Sequence, residues 1–167
     1  GIWAVSPLGG AARQVLERGA CANFFPGGER IVFDRDRRLW TAGADGADAR
    51  PVPGVVDNLF SFYVGHCAAV SRDGNWLAYF QPEQGPRGDL WLIPSAGGKP
   101  HRLTHDLAEA GGAAFTRDGR HVVYSSSRAG SRTLWRVPVA GGDPEPITAG
   151  AGEDLEPDLS RDGRTLV

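Results

Sequence analysis

The chain has 167 residues, among them 24 glycines, 12 prolines and five tryptophans, and its 18 basic and 20 acidic residues give a formal net charge of −2. So many helix-breaking residues exclude long helices, while the 41% hydrophobic content excludes a disordered chain. A nucleic-acid partner is not expected, because such proteins carry a basic excess. No run of about 18 apolar residues and no leader-peptide pattern occurs, so membrane insertion is not expected either.

Short segments rich in β-forming residues follow one another along the chain, separated by turn residues. Residues 1–16 contain two such segments. The stretches 20–53, 66–104 and 112–148 contain four each, and residues 156–167 contain two more. We therefore predict three complete four-stranded units flanked by two half-units.

A tight-turn motif recurs in these units, with 46, 45 and 44 residues between its successive final glycines. Its Asp-Gly pair supplies the positive φ that a tight hairpin needs. The copies are 71–74, 116–119, 160–163 and a degenerate 25–28, and the Asp-Gly pairs are Asp73 with Gly74, Asp118 with Gly119, and Asp162 with Gly163.

Four of the five tryptophans occupy one position of the repeat. Each follows an aliphatic residue and precedes a glycine by six positions; they are Trp3, Trp40, Trp91 and Trp135. Such regular recurrence favours a packing role between neighbouring sheets over an aromatic binding platform.

Four antiparallel strands in about 44 residues are typical of a β-propeller blade. Pro144 and Pro146 lie in a fourth strand, where an outer edge that pairs on one side only tolerates them. The predicted fold class is therefore all-β, a β-propeller with about four blades' worth of strands.

The turn motif, the aliphatic-Trp pair and a Gly-Gly-x-Pro-x-x-(Leu/Ile)-Thr segment together resemble the TolB-like β-propeller repeat, a WD-like repeat family. The clearest stretches are 90–104 and 134–148, and Pro26, Gly27 and Ala47 depart from the pattern. The resemblance implies a bacterial protein in the periplasm or another extracytoplasmic compartment. Related propellers occur in the Tol system, in prolyl-oligopeptidase-like serine peptidases and in bacterial kinases and transcription regulators.

The strand count leaves the ring incomplete. Because Val167 lies inside a predicted strand, we expect a fragment of a larger ring, and the resemblance implies that this ring has about six to eight blades. The missing blades of the parent chain are then its neighbours, and an isolated arc is expected to self-associate. The alternative is that the two half-units join and close a four-bladed ring.

One loop is longer than its counterparts. From Trp40 to Gly74 there are 34 residues, against 28 for the two later repeats, and the insert is the most aromatic stretch of the chain. These aromatics either plug the channel mouth or fill a blade junction, or they form a ligand or partner patch on the face of variable loops. The candidate patch for a protein, peptide or small ligand is Phe60, Phe62, Tyr63 and His66.

The two cysteines, Cys21 and Cys67, occupy equivalent positions in adjacent blades. We expect such positions to lie beyond the roughly 7 Å that a disulfide spans, and so predict two free thiols. His66 beside Cys67 suggests a metal or thiol site, but the remaining histidines occupy different repeat positions. No metal and no cofactor is therefore expected.

Catalytic motifs are missing from the sequence. There is no Gly-x-Ser-x-Gly segment and no phosphate-binding glycine loop, so the chain itself is not expected to be an enzyme. The favoured function is a non-catalytic binding scaffold. The alternatives are the gating propeller of a serine peptidase or the sensor domain of a kinase or transcription regulator.

Overall fold

A computed structural model describes residues 1–55, 67–149, 153–160 and 162–167. Throughout these ranges the secondary structure is β-strand and turn, without a helix, and all strand pairs are antiparallel. No membrane-crossing helix, long and apolar, occurs in this part of the chain. The all-β fold class predicted from the sequence is confirmed.

The first strands form a small sheet and a complete blade. β1 (Ile2–Ala4) pairs with β2 (Arg13–Leu16) in a two-stranded sheet. Blade 1 is a four-stranded sheet in simple order. Its strands are β3 (Ala20–Phe24), β4 (Arg30–Arg35), β5 (Arg38–Gly43) and β6 (Arg50–Pro51).

Blades 2 and 3 follow the same internal order. The strands of blade 2 are β7 (Ala69–Val70), β8 (Trp76–Gln84), β9 (Arg87–Pro94) and β10 (His101–Arg102). Those of blade 3 are β11 (Ala108–Phe115), β12 (His121–Ala129), β13 (Ser131–Pro138) and β14 (Glu145–Pro146).

Blades 2 and 3 share one eight-stranded sheet, because the start of β11 also pairs with the start of β9. Ala108 lies opposite Gly88, and Glu109 lies opposite Arg87. Beyond blade 3 the chain makes a single bridge between Leu159 and Leu166.

The hydrophobic core lies at the junctions between successive sheets. Alternate residues of each strand point to opposite neighbours, so each blade is apolar on both faces. Phe33 packs toward β1 and β2, Val32 packs toward blade 2, and Val122 of blade 3 packs against Leu92 of blade 2. Stacked blades of this kind bury their apolar faces only against one another.

The innermost strands of adjacent blades approach each other closely. Cys21 and Cys67 form a disulfide, with Cα atoms 5.0 Å apart, so the prediction of two free thiols is wrong. Cys21 has a φ of 56° and lies where the β3–β4 register shifts, in a bulge that re-aims its side chain. Asn23 Nδ2 also donates a hydrogen bond to Ala68 O at 3.0 Å, a second link between these two blades.

Candidate functional site

The repeated turn builds a rigid rim on one face of the blades. Asp73 Oδ1 accepts hydrogen bonds from Ser71 Oγ at 2.6 Å and from Asn75 N at 3.0 Å. The hydrogen bond from Ser71 lowers the pKa of the Asp73 carboxyl and keeps it ionised. Asp118 and Asp162 make the same two bonds in their own turns, and their pKa values are lowered for the same reason.

Two of these turns pack on the blade before them. A Cβ placed on Gly74 would lie 3.7 Å from side-chain atoms of Phe25 and Pro26, and one placed on Gly163 would lie 2.7 Å from Arg117 Cβ. Gly119, at the same repeat position, has nothing within 4 Å of that point. The junction between blades 2 and 3 is therefore open where its two counterparts are closed.

A cleft of about 400 Å³ occupies this opening. Its apolar part comes from Trp76, Phe115 and Val139, which also pack on the core cluster between blades 2 and 3. The remaining lining comes from the two turns, namely Ser71, Arg72, Asp73, Arg117, Asp118 and Gly119.

The cleft combines an apolar floor with a charged rim, which is the usual composition of a recognition surface. Arg117 Nη1 donates a hydrogen bond to Asp162 O at 3.0 Å, so its guanidinium is held toward the next turn. Trp76 also meets His101 edge to face, with ring centroids 5.7 Å apart. These contacts hold the lining in place before any ligand arrives, which lowers the entropic cost of binding.

The opposite ends of blades 2 and 3 carry an ion-pair network that the sequence analysis missed. Asp89 is fully buried and accepts hydrogen bonds from Thr104 Oγ1 at 2.7 Å, from Asp106 N at 3.1 Å and from the Arg102 guanidinium. Arg102 Nη1 also lies 3.2 Å from Glu83 Oε1. A buried charge needs such compensation. In the sequence, the signal for this network is a single aspartate, Asp89, directly before the apolar run 90–93.

The network continues into blade 3. Arg128 Nε lies 3.2 Å from Asp106 Oδ2, and its Nη1 donates to Tyr124 OH at 3.4 Å. Burial raises the pKa of Tyr124 to about 12. The same guanidinium stacks 4.6 Å above the Trp135 ring. These contacts bind the variable loops of both blades to the rigid strands.

The structure leaves the predicted aromatic patch untested. Residues 56–66 lie outside the described part of the chain, and these include Phe60, Phe62, Tyr63 and His66. In the described ranges no cluster of three potential metal ligands occurs.

The recurring tryptophans differ in their surroundings. Trp40, Trp91 and Trp135 are half-buried and pack against three different core clusters. Trp3 is 60% exposed, and it belongs to the two-stranded sheet, which offers little surface to pack against.

No protein-family model matches the sequence, and a comparison with curated proteins finds no match. Solved structures do resemble the fold. TolB from Acinetobacter baumannii superimposes with a TM-score of 0.77 at 17% identity, over 98% of this chain and 41% of TolB. A chain of the nidogen/laminin complex gives 0.71 at 9% identity, over 93% of this chain and 59% of that one. The tricorn protease gives 0.64 at 21% identity, over 87% of this chain and 15% of the protease.

The chain thus spans less than half the length of the TolB structure that it matches. The antiparallel blades, the cores between them and the likeness over almost the whole chain agree with one architecture. The protein has the fold of a TolB-like β-propeller.

Proposed function

We propose that this chain is a non-catalytic propeller module that binds a protein or peptide partner. The observation that carries the proposal is the cleft between blades 2 and 3, with Trp76 and Phe115 in its floor and charged turns at its rim. Ligand sites are concave, largely apolar and bordered by a few placed polar groups. An extended peptide with one large apolar side chain and flanking charges matches this lining.

The second surface in the proposal is the variable-loop face, to which the sequence assigns the candidate residues Phe60, Phe62, Tyr63 and His66. The ion pairs of Arg102 and Arg128 support a binding role there, because they hold the loops of blades 2 and 3 in one arrangement. Propellers of this kind serve as rigid frames, and function is carried by the loops placed on them.

An oxidising compartment is part of the same proposal. The bond between Cys21 and Cys67 supports it, since structural disulfides persist mainly in secreted and periplasmic proteins. A periplasmic or other extracytoplasmic location is consistent with that chemistry.

Peptide selection followed by NMR mapping tests the cleft. Peptides selected from a random library against the intact protein should shift the backbone amides of residues 71–76 and 115–119. Val139→Trp, which fills the cleft from its partly buried edge, should weaken binding about tenfold or more. Arg136→Gln, on the outside of blade 3, is the matched control and should leave the affinity unchanged.

Binding that shifts only other residues, or that survives Val139→Trp unchanged, contradicts the cleft as the site. Shifts confined to the variable-loop ends of blades 2 and 3 would place the partner on that face instead.

A gating propeller of a serine peptidase is a second candidate, supported by the likeness to part of the tricorn protease. Peptidase assays on the intact parent protein, with and without this propeller, distinguish the two. Peptide hydrolysis whose selectivity for short substrates is lost on deleting the propeller supports gating. An inert parent protein supports the binding module.

A further inference from the structure

The repeat allows one set of positions to be compared between blades. In each blade, the first residue of the second strand and a directly opposed pair on the third and fourth strands share one face. The three sets are Arg30 with Thr41 and Arg50 in blade 1, Trp76 with Leu92 and His101 in blade 2, and His121 with Arg136 and Glu145 in blade 3.

In blades 2 and 3, side chains at these positions contact each other within the blade. Trp76 and His101 pack ring against ring in blade 2. In blade 3 the Arg136 guanidinium donates two hydrogen bonds to Glu145 Oε2, at 2.9 and 2.7 Å. A bidentate pair of this kind neutralises the arginine.

Blade 1 has two arginines at these positions and no acid to balance them. Among the described residues, neither Arg30 nor Arg50 has a carboxylate oxygen within 4.0 Å. The Arg30 guanidinium lies 4.3 Å from the ring centroid of the buried Phe25, a cation–π contact that orients it without neutralising it. Arg50 lies directly opposite Thr41 in the ladder.

These side chains line a cavity of about 200 Å³ between blades 1 and 2. Thr41, 4% exposed, contributes to its inner wall, and Ser95 and Ala96 from the turn after β9 form the opposite wall. Gly98 N donates to Pro53 O at 3.0 Å, which links the two walls, and within blade 2 Ser95 Oγ donates to Gly74 O at 2.6 Å, which fixes the Ser95 side chain. The described lining contains no acidic residue; its other members are Pro51, Val52 and Pro53.

We propose that this pocket binds a phosphate-class oxyanion, as free phosphate or as the phosphomonoester of a small molecule. Arg30 and Arg50 are both exposed and border the same small cavity, so their like charges repel, and a dianion between them offsets that repulsion. Each guanidinium offers a planar fork of N–H donors that matches phosphate oxygens in pairs. The site lies apart from the cleft between blades 2 and 3 and adds a second ligand to the proposed binding function.

Calorimetric titration of the intact protein at constant ionic strength tests the site. Inorganic phosphate and phenyl phosphate should each bind saturably, while acetate at the same ionic strength should bind at least about tenfold more weakly. Equal affinity for the two phosphates identifies free phosphate as the ligand, and tighter binding of phenyl phosphate identifies a phosphomonoester.

Arg50→Gln should weaken phosphate binding about tenfold or more, and Arg50→Lys, which keeps the charge but removes the fork, should weaken it less. Arg136→Gln removes an arginine that is already paired, and it should leave phosphate binding unchanged. Melting curves of the three variants confirm that each is folded. Three results would overturn the proposal: no saturable phosphate binding, equal losses in Arg50→Gln and Arg136→Gln, or acetate binding as tight as that of phosphate.

Discussion

Cys21 and Cys67 are covalently joined across the junction of blades 1 and 2, although they are 46 residues apart in the chain. The bond ties β3 to the residues that lead into β7, and it closes a loop that contains β4, β5 and β6 of blade 1. A cross-link over a loop of this length reduces the conformational entropy of the unfolded chain.

We expect the double variant Cys21→Ser, Cys67→Ser to lose about 2–4 kcal/mol of unfolding free energy. Urea titration measures the loss, and the wild type with reductant should approach the variant. Alkylation under denaturing conditions should label no cysteine without reductant and both cysteines after reduction. Two labels without reductant would show that the disulfide does not form.

Gly112 occupies the repeat position that Cys21 and Cys67 hold in blades 1 and 2, and there is no room for a side chain on it. A Cβ there would lie 2.7 Å from the Cα of Glu156, whereas a Cβ on the neighbouring Gly111 would meet Ser125 at an ordinary 3.6 Å. Gly112→Ala should therefore destabilise the protein by about 1–3 kcal/mol through overpacking. Gly111→Ala is the control and should change stability little, as measured by urea unfolding. Equal effects of the two substitutions would contradict this close approach.

Asp34 makes stability depend on pH. Asp34 is 6% exposed, its Oδ1 has no hydrogen-bond partner among the described residues, and burial raises the pKa of its carboxyl to about 7. Between pH 3.8 and about 7 the folded state keeps a proton that the unfolded state loses. Stability from this group is therefore present at low pH and falls as pH rises through that window.

Asp34→Asn removes this dependence. The stability of the variant relative to wild type should rise with pH by at most about 1.4 kcal/mol per pH unit within the window. Urea unfolding of both proteins at several pH values measures the difference, in which the other titrating groups cancel. A constant difference from pH 4 to pH 8 would mean that Asp34 titrates normally.

Substitutions in the aromatic insert distinguish a binding role of its side chains from a packing role. Replacing Phe60, Phe62 and Tyr63 by Ser in the intact protein should abolish partner capture and leave the melting temperature unchanged, if these side chains form a surface patch. A large fall in melting temperature would instead show that they pack within the propeller. The same assay on His66→Ala tests the fourth residue of the patch.

Local chemistry made the blade architecture predictable. Asp-Gly turns such as Asp118-Gly119 specify where strands reverse, and Gly119 has the expected positive φ, 69°. The recurring tryptophans mark the third strand of each blade, and Trp91 indeed lies opposite Tyr79 on the second. Short-range turn and strand signals suffice for such features.

Contacts across junctions were not predictable in the same way. Gly74, Gly119 and Gly163 are equivalent in sequence, and only packing against the preceding blade shows that Gly119 borders a cleft. The disulfide is not predictable from the repeat, because the spacing of equivalent positions along the chain does not show that the inner strands approach to 5.0 Å between the Cα atoms of Cys21 and Cys67, where the β3–β4 register shifts.

The pairing of β11 with β9 connects blades 2 and 3 by backbone hydrogen bonds in a way that blade 1 does not share. Hydrogen bonds continue from blade 2 into blade 3 through Ala108 and Gly88, while blade 1 has a sheet of its own. Amides of blades 2 and 3 should therefore exchange with solvent in one cooperative opening, and those of blade 1 in another. No strand ladder among the described residues crosses the junction between blades 1 and 2, so the disulfide is a covalent link at the boundary between these two units of exchange.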